Sequence, residues 1–124
     1  MRKIIYPGTF DPIHNGHLGI AKRAAGLFDE LEFVVAINIE KKPLFSINER
    51  LEMIRESVQD IQNIKVSSFD GLVVNHARKV HAKSIIRGMR HVSDFEFEFQ
   101  MAMMNFHLAP DITSLFMMPD EKYI

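Results

Sequence analysis

The chain has 124 residues, a formal net charge of −1, 47% apolar residues and 25% charged residues. That is enough for one domain with a modest core, and so near-neutral a chain is not a coat for nucleic acid or a membrane surface. There is no cysteine, hence no disulfide or thiol chemistry, which fits a reducing, cytoplasmic setting; no apolar run approaches the roughly 20 residues of a membrane span.

Lys3 to Tyr6 reads as a first strand, followed by the loop Pro7-Gly8-Thr9-Phe10-Asp11-Pro12-Ile13-His14. A helix is predicted over 16–28, with Leu18, Ala21, Ala25 and Phe28 on one face. Leu31 to Ile39 is a nearly continuous apolar run, the pattern of a strand buried on both faces of a parallel sheet. After the loop 38–43, Ser46 and Glu49 form a capping box that opens a helix with the stripe Ile47, Leu51, Ile54, Val58 and Ile61. Ile64–Ser68 is a third strand, Gly71–Ala82 a helix, Ser84–Arg87 a fourth strand and Gly88–His91 its loop. Ser93 and Glu96 make a second capping box, opening a helix to about Leu108. Thr113–Met118 is a fifth strand and Pro119–Lys122 a loop. The alternation predicts an α/β fold, a Rossmann-like doubly wound five-stranded parallel sheet with strand order 3-2-1-4-5. The fourth helix is apolar nearly all round, with Phe95, Phe97, Phe99, Met101, Met103, Met104 and Phe106. One face meets the sheet and the other points to a pocket or a subunit contact, so self-association is expected.

The first loop carries the chemistry. Gly8 permits close backbone approach, and His14 and His17 stand three residues apart at a helix start, a spacing that puts both imidazoles on one helical face. The N–H groups and dipole of a helix N-terminus favour an anion, and Thr9 adds a donor, an arrangement suited to a polyphosphate. His-x-x-His is also a spacing for a metal pair, but no clear third ligand accompanies it. In an open α/β sheet, ligands bind beyond the carboxyl ends of the strands where strand order reverses. For order 3-2-1-4-5 that point lies between strands one and four. Thr9, His14, His17, Lys41, Arg87 and Arg90 are therefore expected to converge on a locally cationic cleft that takes anionic substrates. Glu98 reads as a residue exposed on its helix.

Gly8-Thr9-Phe10-Asp11-Pro12 with His14-Asn15-Gly16-His17 resembles the loop of the nucleotidyltransferase superfamily, whose H-x-G-H motif binds ATP phosphates. Nicotinate-mononucleotide adenylyltransferases and cytidylyltransferases share that loop. Lys41-Lys42-Pro43-Leu44-Phe45, Ile86-Arg87-Gly88-Met89-Arg90, Asp94-Phe95-Glu96-Phe97-Glu98 and Met104-Asn105 resemble phosphopantetheine adenylyltransferases, from residue 3 to the end. The resemblance implies adenylyl transfer from ATP, with Mg²⁺, to 4′-phosphopantetheine, by direct in-line attack without a covalent intermediate, giving dephospho-coenzyme A and pyrophosphate. It implies His17 as transition-state stabiliser and Thr9, Phe10, His14, His17, Gly88, Met89, Arg90, Glu98, Tyr123 and Ile124 at ATP. Thr9, Lys41, Val73 and Arg87 are implied at phosphopantetheine, no metal ligand from protein side chains, and a homohexamer. The nucleophile is a phosphate oxygen, mostly ionised near neutral pH because the second pKa of a monoester is about 6. No catalytic nucleophile or general base is then needed. This chain has His14 where members usually carry Thr, and it ends at Ile124 where they continue through a Ser-rich loop and a C-terminal helix. Residues 1–124 are accordingly expected to be a single nucleotidyltransferase domain with a truncated or disordered C-terminal end. Another nucleotidyltransferase, or a nucleotide-binding protein without turnover, is the alternative.

Overall fold

Five strands, β1 (Lys3–Gly8), β2 (Glu30–Ala36), β3 (Ile64–Phe69), β4 (Ser84–Gly88) and β5 (Thr113–Met117), form a parallel sheet in the order β3-β2-β1-β4-β5. Helices α1 (Asn15–Leu27), α2 (Ile47–Val58), α3 (Val73–Lys79) and α4 (Val92–Leu108) make the crossovers, and a 3₁₀ turn, Glu121–Tyr123, follows β5. The computed structural model describes residues 1–37, 42–89 and 92–123, with Val92, Ser93 and Tyr123 described by their backbone alone. The predicted strand order and Rossmann-like α/β class are the observed ones. Among the described residues, no helix is long and apolar enough to cross a membrane.

Strand alternation sorts the apolar residues into two layers. On one face Ile4, Tyr6, Phe33, Val35 and Ile86 pack with α1 through Ile20, Ala21 and Ala24, and with α2 through Leu51, Ile54 and Val58. On the other, Ile5, Val34 and Ile85 pack with Val74 and Ala77 of α3 and with Ala109 and Ile112. Ser46 caps α2 as predicted: its hydroxyl accepts from the Glu49 amide at 3.1 Å and the Glu49 carboxylate accepts from the Ser46 amide at 2.9 Å. The second predicted helix start is displaced. Helix α4 already includes Val92, so Ser93 lies inside the helix and not at its cap. Helix α3 is also shorter than predicted, beginning at Val73. Much of α4 stays exposed, including Phe97, Met103, Met104 and Phe106.

One layer carries a charge network. Lys3 bonds Glu30 at 2.8 Å and Glu32 at 3.0 Å, and Glu32 also accepts from Ser67 at 2.6 Å and lies 3.3 Å from His76 Nε2. Hydrogen bonds from Lys3 and Lys65 hold Glu30 below its ordinary 4.5. Burial alone would raise Glu32, but its bonds from Ser67, Lys3 and His76 outweigh burial and lower it. Burial would likewise lower Lys3, but its bonds to the two carboxylates outweigh burial and raise it. A carboxyl lowered on folding adds stability that is in place above pH 4.5 and lost as pH falls through its folded value. The raised lysine adds stability below pH 10.5 that is lost as pH rises past its folded value. Glu32→Gln is expected to cost about 2 kcal/mol at neutral pH and to flatten the acid limb of a urea-midpoint against pH curve. An acid limb as steep as that of the unaltered chain would remove Glu32 from this role.

Candidate active site

At the carboxyl end of β1 the chain turns through Thr9 and Phe10. Phe10 takes φ +49° and folds its ring back into the core. The ring lies 5.3 Å from Tyr6, 5.1 Å from Phe33 and 4.9 Å from His17. It covers Gly8 so closely that a Cβ there would stand 3.0 Å from it, which is why that position takes glycine. The Phe10 side chain is therefore a core residue and a wall for His17, and only its backbone is available to a ligand.

His14 is the N-cap of α1 and precedes the helix, so the two histidines are not a pair of helical neighbours as their spacing suggested. The His14 Nδ1 accepts from the Gly16 amide at 3.1 Å, and the His17 Nδ1 accepts from the His14 amide at 3.1 Å. This is a reciprocal capping box built from imidazoles. The rings still stack, with centroids 3.6 Å apart. An imidazole that accepts at Nδ1 carries its proton on Nε2, so the donor of each ring is its Nε2–H.

Two residues that the sequence reading gave no role of their own, Asp11 and Arg50, brace this loop. The Asp11 carboxylate accepts from the Leu44 amide at 2.6 Å and the Phe45 amide at 2.8 Å. Arg50, only 2% exposed, donates from Nε to the Phe45 carbonyl at 3.1 Å and from Nη1 to the Thr9 carbonyl at 3.0 Å. It thus ties α2, the segment after β2 and the loop after β1 into one unit. Arg50 lies one position before the apolar Leu51, where sequence alone reads a solvated helical charge.

The loop forms one wall of a cavity of about 540 Å³ beyond the carboxyl ends of β1 and β4, a volume typical of small-molecule sites. Thr9, His14, His17, Val73, Arg87, Gly88 and Glu98 all line it, so these predicted residues do come together. Lys41, Arg90 and Ile124 lie outside the described residues, and Tyr123 is placed only as backbone of the 3₁₀ turn. Met89 is not part of the lining; its amide donates to the Met117 carbonyl at 3.0 Å and extends the β4–β5 ladder. Gly88 is held by contact, since a Cβ there would stand 3.2 Å from both Ile20 Cδ1 and the Tyr6 hydroxyl.

The expected cationic cleft is not what the described lining presents. Arg87 Nε meets Glu98 Oε2 at 2.5 Å with both side chains 16% exposed, and Asp94 lines the same cavity. Among the described residues, one guanidinium therefore faces two carboxylates. Glu98 is correspondingly not an exposed helical residue. Asn105 of α4 also went unassigned from sequence: it lines the cavity, is 4% exposed, and its Nδ2 has no partner among the described residues. A buried donor without a partner at a cavity wall is available to a ligand oxygen.

A family model described as cytidylyltransferase-like matches residues 5–124. A phosphopantetheine adenylyltransferase of Caldanaerobacter subterraneus is 53% identical over 123 residues, covering 99% of this chain and 77% of that protein. One from Dictyoglomus thermophilum is 51% identical over 123 residues, covering 99% and 75%. Among solved structures, a lipopolysaccharide core biosynthesis protein from Thermoplasma volcanium superposes with TM-score 0.66 at 26% identity, covering 97% of each chain. A bifunctional NMN adenylyltransferase/ADP ribose pyrophosphatase from Francisella tularensis, complexed with AMP and a manganese ion, gives TM-score 0.71 at 18% identity over 99% of this chain and 38% of that one; this likeness concerns the fold.

Proposed function

We propose that this chain, which belongs to the phosphopantetheine adenylyltransferase family, transfers an adenylyl group from ATP to 4′-phosphopantetheine, giving dephospho-coenzyme A and pyrophosphate. The observation that carries this reading is the meeting of the His14–His17 loop and Arg87 in one cavity at the switch point of the sheet. A phosphate oxygen of the acceptor attacks the α-phosphorus of ATP; the bond from that phosphorus to the bridging oxygen breaks, and pyrophosphate leaves with the electron pair. Residues 1–124 act in this reading as a single nucleotidyltransferase domain, in the cytoplasm.

The nucleophile is already ionised, so the protein's part is alignment and fixed positive polarity where charge grows. His17 supplies the Nε2–H donor to the polyphosphate, as the transition-state stabiliser. Thr9 stands between the two substrates, while His14, Gly88, Arg90, Glu98, Tyr123, Ile124 and the Phe10 backbone serve the nucleotide. Arg87 and Lys41 take the acceptor phosphate, and Val73 lines the path of the pantetheine arm. Among the described residues, no group of three or more His, Asp or Glu side chains is placed to hold a metal ion. In this reading Mg²⁺ would be carried by the triphosphate and water, which would supply its oxygen ligands. When bound it neutralises charge on the polyphosphate. The exposed apolar side chains of α4, Phe97, Met104 and Phe106 among them, support a homo-oligomer, for which the family implies a hexamer.

The test is pyrophosphate release from Mg-ATP with 4′-phosphopantetheine and, in parallel, with nicotinate mononucleotide. Release with the first acceptor alone is expected. Release with nicotinate mononucleotide, or ATP binding without release on either, overturns the reading.

A further inference from the structure

The Arg87–Glu98 pair is at odds with an arginine waiting for an anion. Arg87 stands one residue before the end of β4 and is held in the sheet by its register with Phe116, whereas Glu98 reaches it from α4. The bond, 2.5 Å from Nε to Oε2, is charge-assisted and three-quarters or more shielded from water on both sides. A phosphate that takes parallel bonds through Nε meets the carboxylate already there. One that uses only the two terminal nitrogens sits beside an unneutralised negative charge. Either way the anion binds less tightly than it would to the same arginine without Glu98.

We propose that Glu98 is an internal competitor for the anion that Arg87 receives: it holds the guanidinium while the cavity lacks a phosphate and must give way for one to seat. The inference rests on the assignment of Arg87 to the acceptor phosphate. Its consequence for the reaction is that the guanidinium is never left bare. A phosphate monoester carrying a charge of about −1.5 to −2 displaces a single carboxylate. After transfer the same phosphorus belongs to a diphosphate link with one ionisable oxygen fewer, and Glu98 retakes the arginine as product leaves. Glu98 thereby sets how tightly acceptor and product are held. A residue that merely braced the cavity would do the opposite, since losing it would loosen every ligand.

The sign of the change is the test. Calorimetric titration with inorganic phosphate is run on the unaltered chain, Glu98→Ala, Glu98→Gln and Arg87→Ala. Glu98→Ala is expected to bind phosphate about tenfold more tightly. Glu98→Gln moves in the same direction by less, because its amide oxygen still accepts from the guanidinium, and it guards against a misfolded alanine variant. Arg87→Ala loses the phosphate response. The same titrations with 4′-phosphopantetheine are expected to follow the same order. Unchanged or weaker phosphate binding in both Glu98 variants overturns the proposal. Tighter phosphate binding in those variants, with no binding of 4′-phosphopantetheine to any chain, upholds Glu98 as competitor and overturns the acceptor assignment instead.

Discussion

His17→Ala is expected to lower the rate of adenylyl transfer about 100- to 1,000-fold while leaving ATP affinity within about threefold. The geometry separates the two roles of the ring. Its Nδ1 is committed to the His14 amide, which fixes the donor on Nε2, and the Phe10 ring at 4.9 Å holds the imidazole as one wall of the cavity. A donor held this way costs little reorganisation when charge accumulates on the transferring phosphoryl oxygens, and its contribution is greatest there. In the proposed reading, ATP binding draws on more of the cavity, including the start of α1 and the end of β4. The substitution also removes one of the two capping bonds, worth about 1 kcal/mol, which is too little to unfold the chain. Steady-state kinetics with calorimetric ATP titration check it. Equal losses in rate and affinity would reduce His17 to ground-state binding.

Arg50→Met carries the largest expected effect on stability, a loss of about 3 kcal/mol, seen as a fall of roughly 10 °C in the thermal midpoint. Methionine keeps much of the volume but none of the donors. The carbonyls of Phe45 and Thr9, and the more distant ones of Ser46 and Ala36 at 3.4 and 3.5 Å, lose a shared partner. Arg50→Lys is expected to recover part of the loss, because an ammonium keeps the charge but not the planar fork. The loosening is local to the loop after β1, so turnover falls along with stability. A midpoint within about 2 °C of the unaltered chain would show that the carbonyls find other donors.

What the sequence reveals and what it conceals follow from the range of the forces involved. Strand order was readable because β and α segments alternate and the apolar runs are long enough to name each. The Ser46–Glu49 box was readable because its two bonds join residues three apart. Ser93 and Glu96 have the same spacing, yet the helix runs past them to Val92; local pattern permits a start there, and the surrounding fold does not use it. His14 was misplaced by one position, since imidazole is an uncommon cap and i, i+3 spacing reads equally well as a helical face. For Arg50 and for Glu98, a residue already expected at the nucleotide, it was the partner that stayed concealed, and for a different reason. Their partners lie across the fold, Thr9 from Arg50 and Arg87 from Glu98, and no periodicity in a single chain marks a charge that is buried rather than solvated. The acidic side chains that α4 brings to the cavity beside Arg87, Asp94 and Glu98, were hidden for the same reason, while Lys41 and Arg90, on which the expected cationic cleft also drew, lie outside the described residues.

The charge network beneath α3 bears on how the sheet assembles. Glu30 and Glu32 alternate along β2 with Leu31 and Phe33, which face the α1–α2 layer. Because side chains switch faces at every residue, a slip of one position in β2 would carry both carboxylates in among Ile4, Ile54 and Val58 and turn Phe33 toward Lys3 and His76. Central strands rich in valine and leucine offer little else to tell one register from the next. With Lys3 on one neighbour and Lys65 and Ser67 on the other, the two acids act as an address, matching β2 to both flanking strands in one alignment and disfavouring the rest.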